Sequence, residues 1–185
     1  MRWSASGNGV HGSVKKPYAL FVLPALTVLV LDQVSKQLVL RAIPVHQGFD
    51  LIDGFFSLVH VRNRGMAFGF MNRPGFEAGF YLLTLVTFLA VLFLIIWFMR
   101  LKAEEWKMAV SLSLIAGGAL GNFVDRVRLG EVIDFLDFYI GSLHWPAFNV
   151  ADSAITVGTF WLALQLLFQS SARPKLGTRE PDNRK

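Results

Sequence analysis

Residues 78–99 read AGFYLLTLVTFLAVLFLIIWFM, a run without a single charged side chain. A helix crosses the hydrocarbon core of a bilayer in about 20 residues, and this run supplies that length by itself. Three other stretches have the same character. Residues 18–40 are free of charge as far as Leu31, before Asp32 and Lys36 interrupt. Residues 108–124 are uncharged but hold Gly117, Gly118, Gly121 and Asn122. A fourth run begins after Asp152 and ends near Ala172. Four membrane-spanning helices are therefore expected. The chain of 185 residues is 54% apolar, too apolar for an ordinary soluble domain. A basic start and apolar run over 1–31 also suit a cleaved leader, but no small-residue cleavage pattern follows and three more spans do. A retained first helix is the expectation. With no cysteine, the chain has no disulfide, thiolate metal site, lipidated Cys or Cys nucleophile.

The formal net charge of +5 matters through its placement rather than its size. Arg2, Lys15 and Lys16 precede the first run, Arg100, Lys102 and Lys107 lie between the second and third, and Arg173, Lys175, Arg179, Arg184 and Lys185 follow the fourth. They outnumber Arg41, Arg62, Arg64, Arg73, Arg126 and Arg128 on the other side. Lys and Arg favour the cytoplasmic face. Both termini (1–17 and 173–185) are thus expected in the cytoplasm, flanking one membrane domain, 18–172. Its loops at about 41–76 and 125–152 are expected outside. Nucleic acid is not an expected partner.

That topology brings Asp32, Lys36, Asn122, Asp125, Asn149 and Asp152 to one level near the outer surface. Charged groups at membrane depth are costly and face a bundle interior or cavity. Each also has a structural explanation. Asp32 and Lys36, one helical turn apart, either pair with each other or meet a ligand. Gly117 and Gly121 form a small-xxx-small face suited to close helix packing. Asp152, three residues after Asn149, fits a helix cap as well as a working group.

The first outer loop carries FFSLVHVRNRGMAFGF, residues 55–70, read as one or two strands with a turn at Asn63-Arg64-Gly65. Arg62, Asn63 and Arg64 offer donors to a peptide backbone or a lipid head group. The second carries GEVIDFLDFYIG, residues 130–141. With strand periodicity, Asp134 shares a face with Val132, Leu136, Phe138 and Ile140, while Asp137 points the other way. A carboxylate on an apolar face needs a partner or a shifted pKa. Two carboxylates at a membrane surface suit aspartyl-protease chemistry, in which a shared proton leaves one group to activate water and the other to polarise a carbonyl.

The chain resembles the bacterial lipoprotein signal peptidases (signal peptidase II). The likeness rests on DQVSK at 32–36, NRGMAFG at 63–69, GGALGNFVDR at 117–126, GEVIDF at 130–135 and FNVADS at 148–153. It implies four transmembrane helices with a small extracytoplasmic β-sheet, in the bacterial inner membrane. It implies an aspartic endopeptidase that removes signal peptides from prolipoproteins just before a diacylglyceryl-modified Cys, with Asp134 and Asp152 as the catalytic pair. Asn63, Gly65, Asn122, Asp125, Arg126, Asn149, Asp32 and Lys36 then bind substrate or support the site. Membrane lipid and globomycin-type inhibitors are the other implied partners, and no metal or cofactor is expected. A small proton-coupled transporter is the alternative. It requires ionisable groups lining a path across the membrane, whereas these cluster at one level.

Overall fold

The computed structural model describes residues 18–65 and 77–171. Four long helices carry the apolar runs: α1 (Ala19–Ala42), α2 (Glu77–Arg100), α3 (Trp106–Leu129) and α4 (Val150–Ser171). Each is long and apolar enough to cross a membrane. In lipid no water satisfies backbone amides, so such runs fold as helices that bond internally.

Helix α3 is the centre of the bundle: 67% of its most apolar window is buried, against 17% for α2 and α4. Small residues put it there. A Cβ on Gly117 would lie 2.7 Å from the Ala25 carbonyl oxygen of α1, and one on Gly118 2.3 Å from that of Ala151 in α4. Without a hydrophobic drive between helices in lipid, this close backbone approach supplies the packing. Away from the sheet the core is mainly apolar, with Phe21, Leu94, Phe98, Met108, Leu112 and Leu162 in one cluster. Large side chains such as Leu82, Phe93, Phe160 and Leu167 are exposed on the outer faces, as lipid contact requires.

At one end of the bundle sits an antiparallel sheet in the order β1 (Gly48–Ile52), β2 (Phe56–Asn63), β3 (Val132–Ile140) and β4 (Leu143–His144). Val39 and Ile43 at the end of α1 pack against Ile133 and Phe135 of β3, which seats the sheet on the helices.

Three boundaries differ from the expectation. Helix α3 continues past Val124 to Leu129, so Asp125 and Arg126 belong to the helix and not to a loop. It ends at Gly130, whose left-handed φ of 75° turns the chain into β3 while its N–H bonds the Arg126 carbonyl. Helix α4 begins at Val150, so Asp152 lies inside its first turn. The hairpin partner of β2 is the upstream strand β1, and the chain bends away at Arg64-Gly65 where β2 ends. The rest of the NRGMAFG motif, and the expected terminal segments 1–17 and 173–185, lie outside the described residues.

Candidate active site

Asp134 comes to the end of the bundle on β3, and Asp152 comes on the first turn of α4. Strand β3 is clamped on one side by β2, with Val61 opposite Asp134. On its other side Leu136 exchanges backbone bonds with Phe148, which delivers the chain to Asn149 and the start of α4. The two acidic residues thus reach the site from separate pieces of backbone that are hydrogen-bonded to each other.

Asparagine amides supply a donor to every oxygen of the two carboxylates. Asp134 Oδ1 accepts from Asn149 Nδ2 at 2.8 Å and its Oδ2 from Asn63 Nδ2 at 2.9 Å. Asp152 Oδ1 accepts from Asn122 Nδ2 at 2.8 Å and its Oδ2 from the Asn149 main-chain N–H at 3.3 Å. Asn149 therefore touches both. Gly65, with φ of 98°, donates its N–H to Asn63 Oδ1 and so orients that amide towards Asp134.

Burial pushes the Asp134 carboxyl up to about 6. The Asn63 bond opposes that rise, the Asp152 charge adds to it, and Asn149 and Lys36 oppose it more weakly. This carboxyl can hold or release a proton near neutral pH, as acid–base chemistry requires.

Beneath the pair lies a second polar layer. Lys36 Nζ contacts Asp32 Oδ2 and Asp125 Oδ2, each at 2.8 Å, and Asn122 Oδ1 at 3.0 Å. Of the two alternatives for Asp32 and Lys36, the mutual pairing is present, and Asp125 joins it. Arg126 lies within electrostatic reach of Asp152, Asp125 and Asp134 and donates to Thr87 Oγ1 on α2. All these groups lie at the sheet end, and none lines a path through the apolar core beyond.

Asp137 is apart from this cluster. It bonds His144 of β4, as the strand alternation expects. Arg62 and Arg64, read from sequence as free donors, both engage Glu131. Glu131 lies within the GEVIDF motif but is not singled out by the sequence, since one acidic residue before a strand has many uses. Gln33 was missed too, and it donates to Asp125 Oδ1 at 2.9 Å and to the Gly121 carbonyl. A cavity of about 540 Å³ opens beside Asp134, lined also by His46, Val61, Arg62, Asn63, Arg64, Glu131, Pro146 and Ala147.

Comparison with known proteins agrees with this architecture. A family model described as signal peptidase (SPase) II matches residues 24–168. The lipoprotein signal peptidase of Syntrophus aciditrophicus is 43% identical over 155 residues, covering 83% of this chain and 96% of that protein. That of Geobacter sulfurreducens is 46% identical over 154 residues, covering 83% of this chain and 95% of that protein. A bacterial membrane enzyme solved by the in meso method at 2.3 Å superposes with a TM-score of 0.77 at 30% identity, covering 89% of this chain and 98% of that one. A second, solved at 1.9 Å, gives 0.74 at 32% identity, with 85% and 98% covered. The chain, a multi-pass membrane protein with the family's fold, belongs to the lipoprotein signal peptidase (signal peptidase II) family.

Proposed function

We propose that the protein is an aspartic endopeptidase of the bacterial inner membrane that cleaves prolipoproteins just before a diacylglyceryl-modified Cys, with Asp134 and Asp152 as its catalytic pair. One observation carries the reading. Two carboxylates from separate elements, β3 and α4, are gathered on the amides of Asn149 at the end of a membrane-spanning bundle. The excess of Lys and Arg on the opposite side supports an orientation with this end outside and both termini in the cytoplasm.

Asp152, in the first turn of α4 with the Asn122 amide and the Asn149 main-chain N–H donating to its two oxygens, acts as the base. Asp134, raised to about 6, keeps the proton. Asp152 removes a proton from water as the water oxygen attacks the scissile carbonyl carbon. Asp134 gives its proton to the carbonyl oxygen. Collapse of the resulting diol breaks the C–N bond. The leaving amine of the Cys takes the proton from Asp152, and the diol returns one to Asp134, restoring the pair.

The location suits the substrate. Acyl chains and a signal helix remain in lipid, so the bond between signal peptide and Cys lies near the interface, at the depth of the pair. The polypeptide beyond the Cys leaves the membrane, and the polar cavity beside Asp134 offers it a passage.

The test is cleavage of a synthetic diacylglyceryl lipopeptide by the purified protein in liposomes, read by mass spectrometry in ¹⁸O-labelled water. The reading requires label in the new carboxylate of the signal fragment and a free amine on the lipidated Cys. It fails if label is absent or cleavage falls elsewhere.

A further inference from the structure

Lys36 is 2% exposed, and an ammonium has three protons to donate. All three have acceptors: Asp32, Asp125 and Asn122. Nothing is left for a substrate. Each acceptor, in turn, holds backbone or side chain next to one of the two catalytic carboxylates. Asp32 Oδ1 accepts the N–H of Ala151, the residue before Asp152, at 2.9 Å. Asp125 Oδ2 accepts the N–H of Ile133, the residue before Asp134, at 3.3 Å. Asn122 donates directly to Asp152 and accepts from Asn149, which holds Asp134.

We infer that Lys36 is a positioning residue that sets β3 against α4, and so Asp134 against Asp152, by holding Asp32, Asn122 and Asp125 on one ammonium. The assignment rests on the reading of Asp134 and Asp152 as the pair. Each backbone segment is gripped one residue before its carboxylate, and both grips end on the same nitrogen. A shift of either element must either break its bond to Asp32 or Asp125 or draw that carboxylate away from Lys36. Proton sharing depends on the separation of the carboxylates, and small misplacements of catalytic groups are costly in rate.

The same geometry gives a perturbation that removes neither charge nor donor. A Cβ on Gly121 would lie 2.5 Å from Asp32 Oδ2 and 3.3 Å from Ala151 Cβ. One on Gly117, a helical turn earlier on the same helix, would press instead on Ala25, 2.7 Å from its carbonyl oxygen. Both load the α1–α3 contact, but only Gly121 loads the Lys36 assembly.

The experiment measures kcat, KM and pH profile of full-length Lys36→Met, Gly121→Ala and Gly117→Ala on a diacylglyceryl lipopeptide, per folded molecule. Asp134→Asn and Asp152→Asn are assayed alongside. Lys36→Met is expected to lose about a hundredfold or more in kcat with KM within about threefold. Asp134 is faced by Lys36 from α1, Arg126 from α3, Asp152 from α4 and the Asn63 amide from β2. Removing the Lys36 cation therefore moves the ionisation in the profile upward. Gly121→Ala is expected to lose at least about tenfold in kcat, whereas Gly117→Ala loses stability and keeps its kcat. A folded Lys36→Met with normal kcat and an unmoved profile overturns the inference. If Lys36→Met does not fold, equal kcat for the two glycine variants overturns it. If either Asp variant retains turnover, the pair itself is misassigned and this inference falls with it. If both are inactive and Lys36→Met is normal, this inference alone falls.

Discussion

Asn149 and Asp152 cap each other at the start of α4. The Asn149 Oδ1 accepts the Asp152 N–H at 2.9 Å, and Asp152 Oδ2 accepts the Asn149 N–H at 3.3 Å. This is a reciprocal capping box, with Asp in the place usually held by Glu or Gln. It leaves Asp152 Oδ1 turned towards Asn122. Cap and working group are therefore not alternatives here: the cap fixes the rotamer in which the second oxygen faces the site.

Asn149 does two things that substitutions can separate. Asn149→Ser keeps a capping oxygen but loses the amide that reaches Asp134, while Asn149→Ala loses both. Both variants lose the buried amide bonds, and thermal melts are expected to show the alanine variant about 1 kcal/mol less stable than the serine variant, the cap contribution. Assays are expected to show both losing at least about tenfold in kcat. A serine variant with parental kcat contradicts the bridging role.

The carboxyl of Asp134 titrates at about 6 in the fold against an ordinary value of 3.8. A raised carboxyl contributes stability that is fully present below the unfolded value and is lost as pH rises through the folded one. That loss is complete above about pH 7 and amounts to roughly 3 kcal/mol. Asp134→Asn has no such titration, so its Tm relative to the parent protein rises from pH 4 to pH 7. A pH-independent difference contradicts the shift. In the parent, kcat/KM carries an ionisation near 6, and Asn63→Ala, which removes a bond that lowers it, moves it upward.

Asp137 is the control carboxylate. It shares β3 with Asp134 but bonds His144. Asp137→Asn is expected to keep turnover within about fivefold, measured on the same lipopeptide. A loss comparable to that of Asp134→Asn contradicts the separation of the two groups.

Gly118 and Gly130 are small for different reasons. A Cβ on Gly118 meets the Ala151 carbonyl oxygen at 2.3 Å, whereas one on Gly130 meets nothing within 4 Å and only the φ of 75° resists it. Gly130→Ala is expected to cost about 1 kcal/mol. Gly118→Ala is expected to cost more, by forcing α4 off α3. Denaturation in detergent checks the order, and equal costs contradict the contact.

The four spans were legible because a bilayer demands long apolar runs, and α2 leaves no other reading. The gathering of Asp32, Lys36, Asn122 and Asp152 at one end of the bundle followed from those spans, and the different surroundings of Asp134 and Asp137 followed from strand alternation. The end of α3 was not legible. Asp125 reads as the end of the span, and Arg126 and Arg128 look like loop charges in one dimension, yet the helix continues to Leu129, with Asp125 held by Lys36 and Gln33. The partner of β2 was missed because β1 is exposed throughout and shows no alternation of burial. The resemblance names Asn63, Asn122 and Asn149 as site residues, but which carboxylate oxygen each one serves was not legible, since they come from three segments that only the fold joins.

The central claim is that Asp134 and Asp152 act together on water, and single-turnover cleavage of the lipopeptide by correctly inserted Asp134→Asn and Asp152→Asn tests it most directly. The account predicts that each loses about a thousandfold or more in the chemical step while still binding the lipopeptide. Either variant turning over at more than about a tenth of the parental rate contradicts it.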